Sequence, residues 1–369
     1  MISFDEAFRD VPETSYWDTK FDGARNIVLY GTGNGADKII DACEKYGIGI
    51  KGVFASSDFV RDREFRGMKV RSFDEIKKEF GEELTILVCF GSTRDEVISY
   101  FSELDAKYDV RFPEVPLYGG GIFDGEMCSR CKVLLERVYE MLSDDASRLL
   151  FRDTVKFRMT GKMDCLSRTE NVRDTLKKLF SGVYVRTALD GGAFKGDSAE
   201  DMLFSLADIR KIIACEPDPS TYKKLSEFAA SNGKVIPEEC ALGEACGISK
   251  YVSSGSRGSG IDGRNRRAKE KEITVSTVDS LVKDGIDYIK LDVEGSEKEA
   301  LFGASETLEK YRPALSLSLY HRTLDIVNLP LLAADLLPEA QMYLRRPRCV
   351  PMWDLTLYVL PNEKIGKKQ

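Results

Sequence analysis

Short apolar runs separated by polar, helix-patterned stretches recur along this 369-residue chain. The first, Asn26-Ile-Val-Leu-Tyr30, has the length and branching of a buried strand. Gly31-Thr-Gly33-Asn-Gly35-Ala36 then turns it into a predicted helix over residues 37–46. Similar runs at 48–54 and 84–90 predict two more strands, with helical patterns between them. Strands alternating with helices predict a parallel, doubly wound sheet over about residues 20–115. A second series follows at 183–189, 211–215, 234–236, 286–291, 314–319, 341–345 and 355–360. These are seven strands, the last two forming a hairpin across a proline-containing loop. Between the series, residues 129–180 read as charged helix, with Leu134, Leu135, Val138, Met141 and Leu142 on one face.

Pro113, Pro116 and Gly119-Gly-Gly121 break the pattern after the first series. The predicted organisation is therefore a small Rossmann-like α/β domain at 1–118, a helical connector at 119–182, and a larger α/β domain at 183–369. The connector is expected to pack between the two sheets or against a second copy of the chain, as a homo-oligomer.

The second series carries chemistry at its strand ends. Asp190-Gly191-Gly192-Ala193-Phe194-Lys195-Gly196-Asp197-Ser198 joins a strand to a helix through glycines, so a ligand can approach bare backbone. An acid opening that turn would repel a phosphate and suits a cationic or hydroxyl-bearing ligand. Glu216-Pro-Asp-Pro219 closes the next strand with an acid placed for ribose hydroxyls. Ile289-Lys-Leu-Asp292-Val-Glu294-Gly-Ser-Glu297 sets three carboxylates at a third strand tip, and Leu317-Ser-Leu-Tyr-His321 ends a fourth.

Together these motifs resemble FkbM-type S-adenosylmethionine-dependent methyltransferases, over roughly residues 183–360. The chain departs from the family's usual pattern in having two glycines, not one, before Ala193. The resemblance implies a seven-stranded Rossmann-like methyltransferase sheet and S-adenosylmethionine as cofactor. It assigns Asp190, Gly191, Gly192, Ala193, Gly196 and Asp197 to the cofactor's amino-acid end, and Glu216 to its ribose. Ala241 and Leu242, after the third strand, fall on the adenine side by position alone. Asp292 and Glu294 stand beside the methyl group. Glu297 either joins them or is a helix N-terminal acid favoured by the dipole. No metal is predicted, because acids alone do not complete a ligand set. His321 is the single histidine of the chain. At a strand end beside Asp292, and with an ordinary pKa near ~6.5, it is expected to act as general base or to orient the acceptor. The acceptor class implied is a hydroxyl of a sugar, nucleotide-sugar or similar metabolite. The first 118 residues resemble the nucleotide-sugar-binding domain of bacterial sugar acetyltransferases, which points to a small-molecule or glycan acceptor.

Composition narrows this further. A net charge of −7 disfavours a general nucleic-acid binder. Nine cysteines lie mostly in apolar runs and read as reduced core residues of a cytoplasmic protein. Neither a leader nor a membrane span is expected. Cys128 and Cys131 lack a second pair for zinc and are expected to be incidental. The glycine-serine run 253–263 is expected to be a lid and the basic tract 264–271 a solvated loop. Arg345, Arg346 and Arg348 either grip an acidic acceptor or cover the surface. Two rivals stand beside the methyltransferase reading. One is an NAD-dependent oxidoreductase using the Gly31 loop, disfavoured because Asp58 is displaced from the ribose-binding position. The other is a non-catalytic binding protein of methyltransferase fold. The N-terminal domain is expected to be dispensable for cofactor binding.

Overall fold

In the computed structural model, which describes residues 2–56, 60, 63–253 and 269–365, the alternation becomes two largely parallel sheets. The first contains β1 (Ile27–Tyr30), β2 (Gly52–Phe54), β3 (Glu64–Phe65), β4 (Met68–Arg71), β5 (Thr85–Val88) and β6 (Asp109–Arg111). Their order is β3-β4-β2-β1-β5-β6, with only β3 and β4 antiparallel. Ile27 and Leu29 enter one core with Trp17 and Ile39, while Val28 and Tyr30 enter another with Ile86 and Phe101. Burial on both faces explains why β1 reads as a continuous apolar run. The predicted second strand shortens to β2, because only its last three residues find partners on β1. The helix starts earlier than predicted, at Asn34–Tyr46. Gly35 in its first turn lies so close to the Cys89 carbonyl that a Cβ would collide. Asp58 lies outside the described residues.

The second half contains β7 (Thr187–Gly191), β8 (Lys211–Cys215), β9 (Val235–Glu238), β10 (Ala241–Leu242), β11 (Gly247–Ser253), β12 (Lys269–Ser276), β13 (Tyr288–Leu291), β14 (Ala314–Ser318), β15 (Gln341–Arg345) and β16 (Thr356–Leu360). Seven of these form one sheet in the order β15-β16-β14-β13-β7-β8-β9, with β16 antiparallel to both neighbours. This is the predicted seven-stranded sheet with its terminal hairpin. A separate three-stranded sheet, β10-β12-β11, was not foreseen. It takes the end of the basic tract into β12, while the lid expected from the glycine-serine run falls, from residue 254 on, outside the described residues. The chain leaves β7 to build β8 on one side and returns to build β13 on the other. A crevice therefore opens at the carboxyl ends of β7 and β13.

The connector helices Gly125–Met141 and Asp145–Thr160 lie against the larger sheet. Leu135, Val138 and Leu142 share its core, as the periodicity predicts, but Leu134 stays 37% exposed. Phe157, from the second helix, instead enters the core of the N-terminal sheet. One helix thus stitches both cores together. Arg158 in that helix is buried beside Glu114 (3.0 Å) and over the Phe123 ring. Arg345 and Arg346 are also structural. The first pairs with Glu170 at 2.7 Å and with Asp144, and the second donates to the carbonyls of Leu166 and Pro351. Arg348 pairs with Asp95 at the surface. None of the three borders the crevice. Burial pushes the Cys128 thiol up to about 11 and that of Cys131 up as well. Both stay protonated at neutral pH. No helix among the described residues is long and apolar enough to cross a membrane.

Candidate active site

Parallel strands deliver their carboxyl ends to one edge, so the turns after β7, β8, β13 and β14 meet around the crevice. A cavity of about 400 Å³ opens there. Gly192, Phe194, Asp197 and Glu216 line one side, Ala241 and Leu242 the adjoining wall, and Asp292, Glu294 and Tyr320 the far side. Of the residues expected at the site, Asp190, Gly191, Ala193, Gly196 and His321 do not border this space.

Asp190 is fully buried, and its carboxylate is already engaged. Oδ2 accepts a hydrogen bond from Ser198 Oγ at 2.6 Å, and Oδ1 lies 3.0 Å from Lys290 Nζ. The register pairs Asp190 with Lys290 across β7 and β13, which puts the two side chains on the same face. Lys290 also donates to the Gly192 carbonyl at 2.9 Å. Burial alone would lower the lysine's pKa, but Asp190 and Asp292 outweigh it and raise it, so Lys290 stays charged. Asp190 thus organises the turn beneath the cavity and does not face a ligand. Lys290 was missed as a functional position. Its signal was a lone lysine inside the apolar run of a buried strand, where a charge needs a partner.

The glycines also have structural reasons. Gly192 adopts φ +74°, and a Cβ there would strike the Asp292 carbonyl; Gly196, at φ +93°, abuts the Phe228 ring. They let the turn approach β13 and the neighbouring helix, rather than clearing space for a ligand. Gly192→Ala is therefore expected to lower stability by about 1–3 kcal/mol through strain and collision. Denaturant unfolding of wild type and variant tests this, and equal midpoints would contradict it.

Glu216 is 6% exposed at the end of β8. Its oxygens accept from the Phe194 and Asp218 amides, at 3.0 and 2.9 Å. Burial pushes its pKa up to about 7, against the opposing pull of those two amides. Asp218 caps the helix Pro219–Ala230 by accepting from the Ser220 and Thr221 amides.

The tip of β13 gathers the remaining acids around His321. Tyr320 donates its hydroxyl hydrogen bond to Asp292 Oδ1 at 3.0 Å. Burial would raise the Asp292 pKa, yet Lys290 and His321 hold it below the ordinary value. Glu294 stands at φ +55° and Gly295 at φ +93°, a left-handed pair that folds the loop back. Glu297, 1% exposed, accepts from the Val293 amide at 2.9 Å and lies 2.8 Å from His321 Nδ1. It does more than favour a helix dipole. His321 is completely buried, with Nε2 3.5 Å from Asp292 Oδ1 and 3.4 Å from Glu294 Oε2. Burial alone would lower its pKa, but Glu297, Asp292 and Glu294 together push it up to about 10. An imidazole held protonated at neutral pH cannot accept a proton there. The expectation of a base titrating near neutrality fails in this environment.

The N-terminal half reaches the same site. Thr93 lines the cavity, Ser92 pairs with Val350, and Gly91 is packed on by Trp353. Tyr118, in the break between halves, donates its amide to the His321 carbonyl and packs edge-on to the imidazole. Removing the first 118 residues would uncover the site, so the expected dispensability does not fit this packing.

Residues 190–345 match the Methyltransferase FkbM domain family. The C-terminal half carries an FkbM methyltransferase domain. The protein is thereby a methyltransferase, and the four strand-end motifs fall inside or at the edge of the FkbM domain. A crystal structure of methyltransferase FkbM from Methylobacillus flagellatus KT is similar over 96% of each chain, with a TM-score of 0.68 and 18% identity. The shared fold therefore extends beyond the FkbM domain to the N-terminal sheet and connector. An Aeropyrum pernix fibrillarin with bound S-adenosyl-L-methionine is similar over 52% of this chain and 76% of its own, at a TM-score of 0.32 and 11% identity. No curated protein matches this chain in sequence.

Proposed function

We propose that the protein transfers a methyl group from S-adenosylmethionine to a hydroxyl of a small-molecule or glycan acceptor. The observation that carries this reading is one cavity lined both by Glu216, at the carboxyl end of β8, and by Asp292 with Glu294, at the tip of β13, the two strands that flank β7. In an open α/β sheet the acid closing the second strand is placed to accept both ribose hydroxyls of an adenosine. Ala241 and Leu242 then flank the adenine, and the backbone from Gly192 to Phe194, with Asp197, faces the methionine end. Sulfonium and acceptor would meet near Asp292.

Methyl transfer is an in-line displacement, so alignment supplies much of the rate. Asp292, ionised and fixed by Tyr320, would hold the acceptor hydroxyl by accepting its hydrogen bond. His321 acts from behind as a buried cation that fixes Asp292 and Glu294. The oxidoreductase rival gains nothing here, since Gly31 and Gly35 are explained by close packing on Phe90 and the Cys89 carbonyl.

Titration calorimetry with S-adenosylmethionine tests the cofactor end. Ribose hydroxyls need an anionic acceptor, and Glu216 is protonated below about pH 7. Affinity should therefore fall ~10-fold from pH 8 to pH 6, as a single proton competes with the ligand. Glu216→Gln should bind ~10-fold or more weakly and lose that dependence. Wild-type affinity in the variant would remove Glu216 from the site.

A further inference from the structure

We infer that His321, Asp292 and Glu294 form a divalent-cation site on the floor of the cavity, with Glu297 as the carboxylate that orients the histidine. The inference deepens the methyl-transfer reading at its acceptor end and rests on that reading only for its role.

The geometry has three independent parts. His321 Nε2 is completely buried and has no hydrogen-bond partner, although two carboxylates face it. Those oxygens, Asp292 Oδ1 and Glu294 Oε2, stand 3.5 and 3.4 Å away, too far for good hydrogen bonds. Each separation from Nε2 suits two ligands of one ion. Donors each about 2.1 Å from a metal and this far apart subtend roughly 110°, near the tetrahedral angle. Among the described residues, Asp292, Glu297 and His321 offer ligand atoms all within 4.8 Å of one another. Glu294 stands outside that group and closes on the ion by turning its partly exposed side chain.

The second part is the other ring nitrogen. A metal-bound histidine characteristically gives its remaining N–H to a carboxylate, which fixes the tautomer and aims the ring. Glu297 Oε1 lies 2.8 Å from Nδ1 and is itself pinned by the Val293 amide. The Tyr320 hydroxyl plays the same part for Asp292.

The third part is placement. Asp292 and Glu294 line the cavity, whereas His321 and Glu297 lie behind them. A cation held between them would displace the Nε2 proton to solvent and take over the positive charge that His321 otherwise carries. It would keep its open coordination positions toward the cavity, where an acceptor oxygen arrives. One imidazole with two carboxylates suits manganese, iron or zinc more than the all-oxygen sites preferred by calcium. The chain reads this way only once folded: β14 must bring His321 beside the tip of β13.

The single histidine makes the test direct. Tag-free wild-type protein is titrated with MnCl2 and followed by electron paramagnetic resonance. One ion per chain is expected, and electron spin echo modulation of the bound ion should show nitrogen-14 coupling of an imidazole, which can only be His321. Glu294→Gln, whose side chain is partly exposed, should weaken binding at least 10-fold, and Asp292→Asn likewise. No binding up to millimolar Mn²⁺ would overturn the site. So would bound Mn²⁺ without nitrogen coupling, or affinity unchanged in both variants. The measurement needs no S-adenosylmethionine. A protein that binds Mn²⁺ through nitrogen but fails to bind the cofactor would sink the methyl-transfer reading and leave this one standing.

Discussion

Replacing Lys290 with methionine is expected to destabilise the protein by about 3–5 kcal/mol, more than any other single change considered for this fold. The substitution keeps the length of the side chain and removes its charge. Among the described residues, the buried Asp190 carboxylate would then keep only the Ser198 hydroxyl as a side-chain partner. The carbonyls of Gly191 and Gly192 would lose their shared donor at the same time. Thermal or denaturant unfolding reads the loss directly. The double variant Asp190→Asn with Lys290→Met should recover part of it, because the uncompensated charge goes with its partner. If the single variant unfolds within about 0.5 kcal/mol of wild type, the pair is not what holds the β7–β13 junction.

Asp292→Asn is expected to lower turnover by about 10²–10⁴-fold while S-adenosylmethionine affinity stays within a few-fold of wild type. Asp292 borders the cavity from β13 while Glu216 borders it from β8, on the other side of β7, and Tyr320, Lys290 and His321 converge to keep Asp292 anionic and fixed. An asparagine fills the same volume with half the acceptor capacity and no charge. The loss should therefore fall on kcat and not on cofactor binding. A variant with wild-type turnover would place the acceptor elsewhere in the cavity. A variant that loses cofactor affinity instead would move Asp292 to the cofactor's half of the site.

The elements were legible because their signals are local. Apolar runs of β-branched residues became β1, β7, β8, β13 and β14 within a few residues of their predicted limits, and β15 and β16 formed the expected hairpin. Boundaries shifted where pairing partners ran out. Val183 and Val185 are buried, yet the strand begins at Thr187, where the register with β8 begins. The sheet β10-β12-β11 was less legible, since its strands flank a polar stretch that reads as loop. Arg158, Arg345 and Arg346 were misread or passed over, because their buried carbonyl and carboxylate partners come from distant segments.

The sequence by itself determined which residue types stand at the carboxyl ends of the strands: Asp190, Glu216, Asp292, Glu294, Glu297 and His321. Strand periodicity and the acids that end each run are properties of a few neighbouring residues, and they survive any rearrangement of the rest. Tertiary structure alone decided what those groups do. It spent Asp190 on Lys290, and it buried His321 among three carboxylates so that its pKa rises to about 10. It also brought Thr93 and Tyr118 of the other half against the cavity and its histidine. Ionisation and ligation depend on what lies within a few ångströms, and for these residues those neighbours are up to some two hundred positions away in the chain.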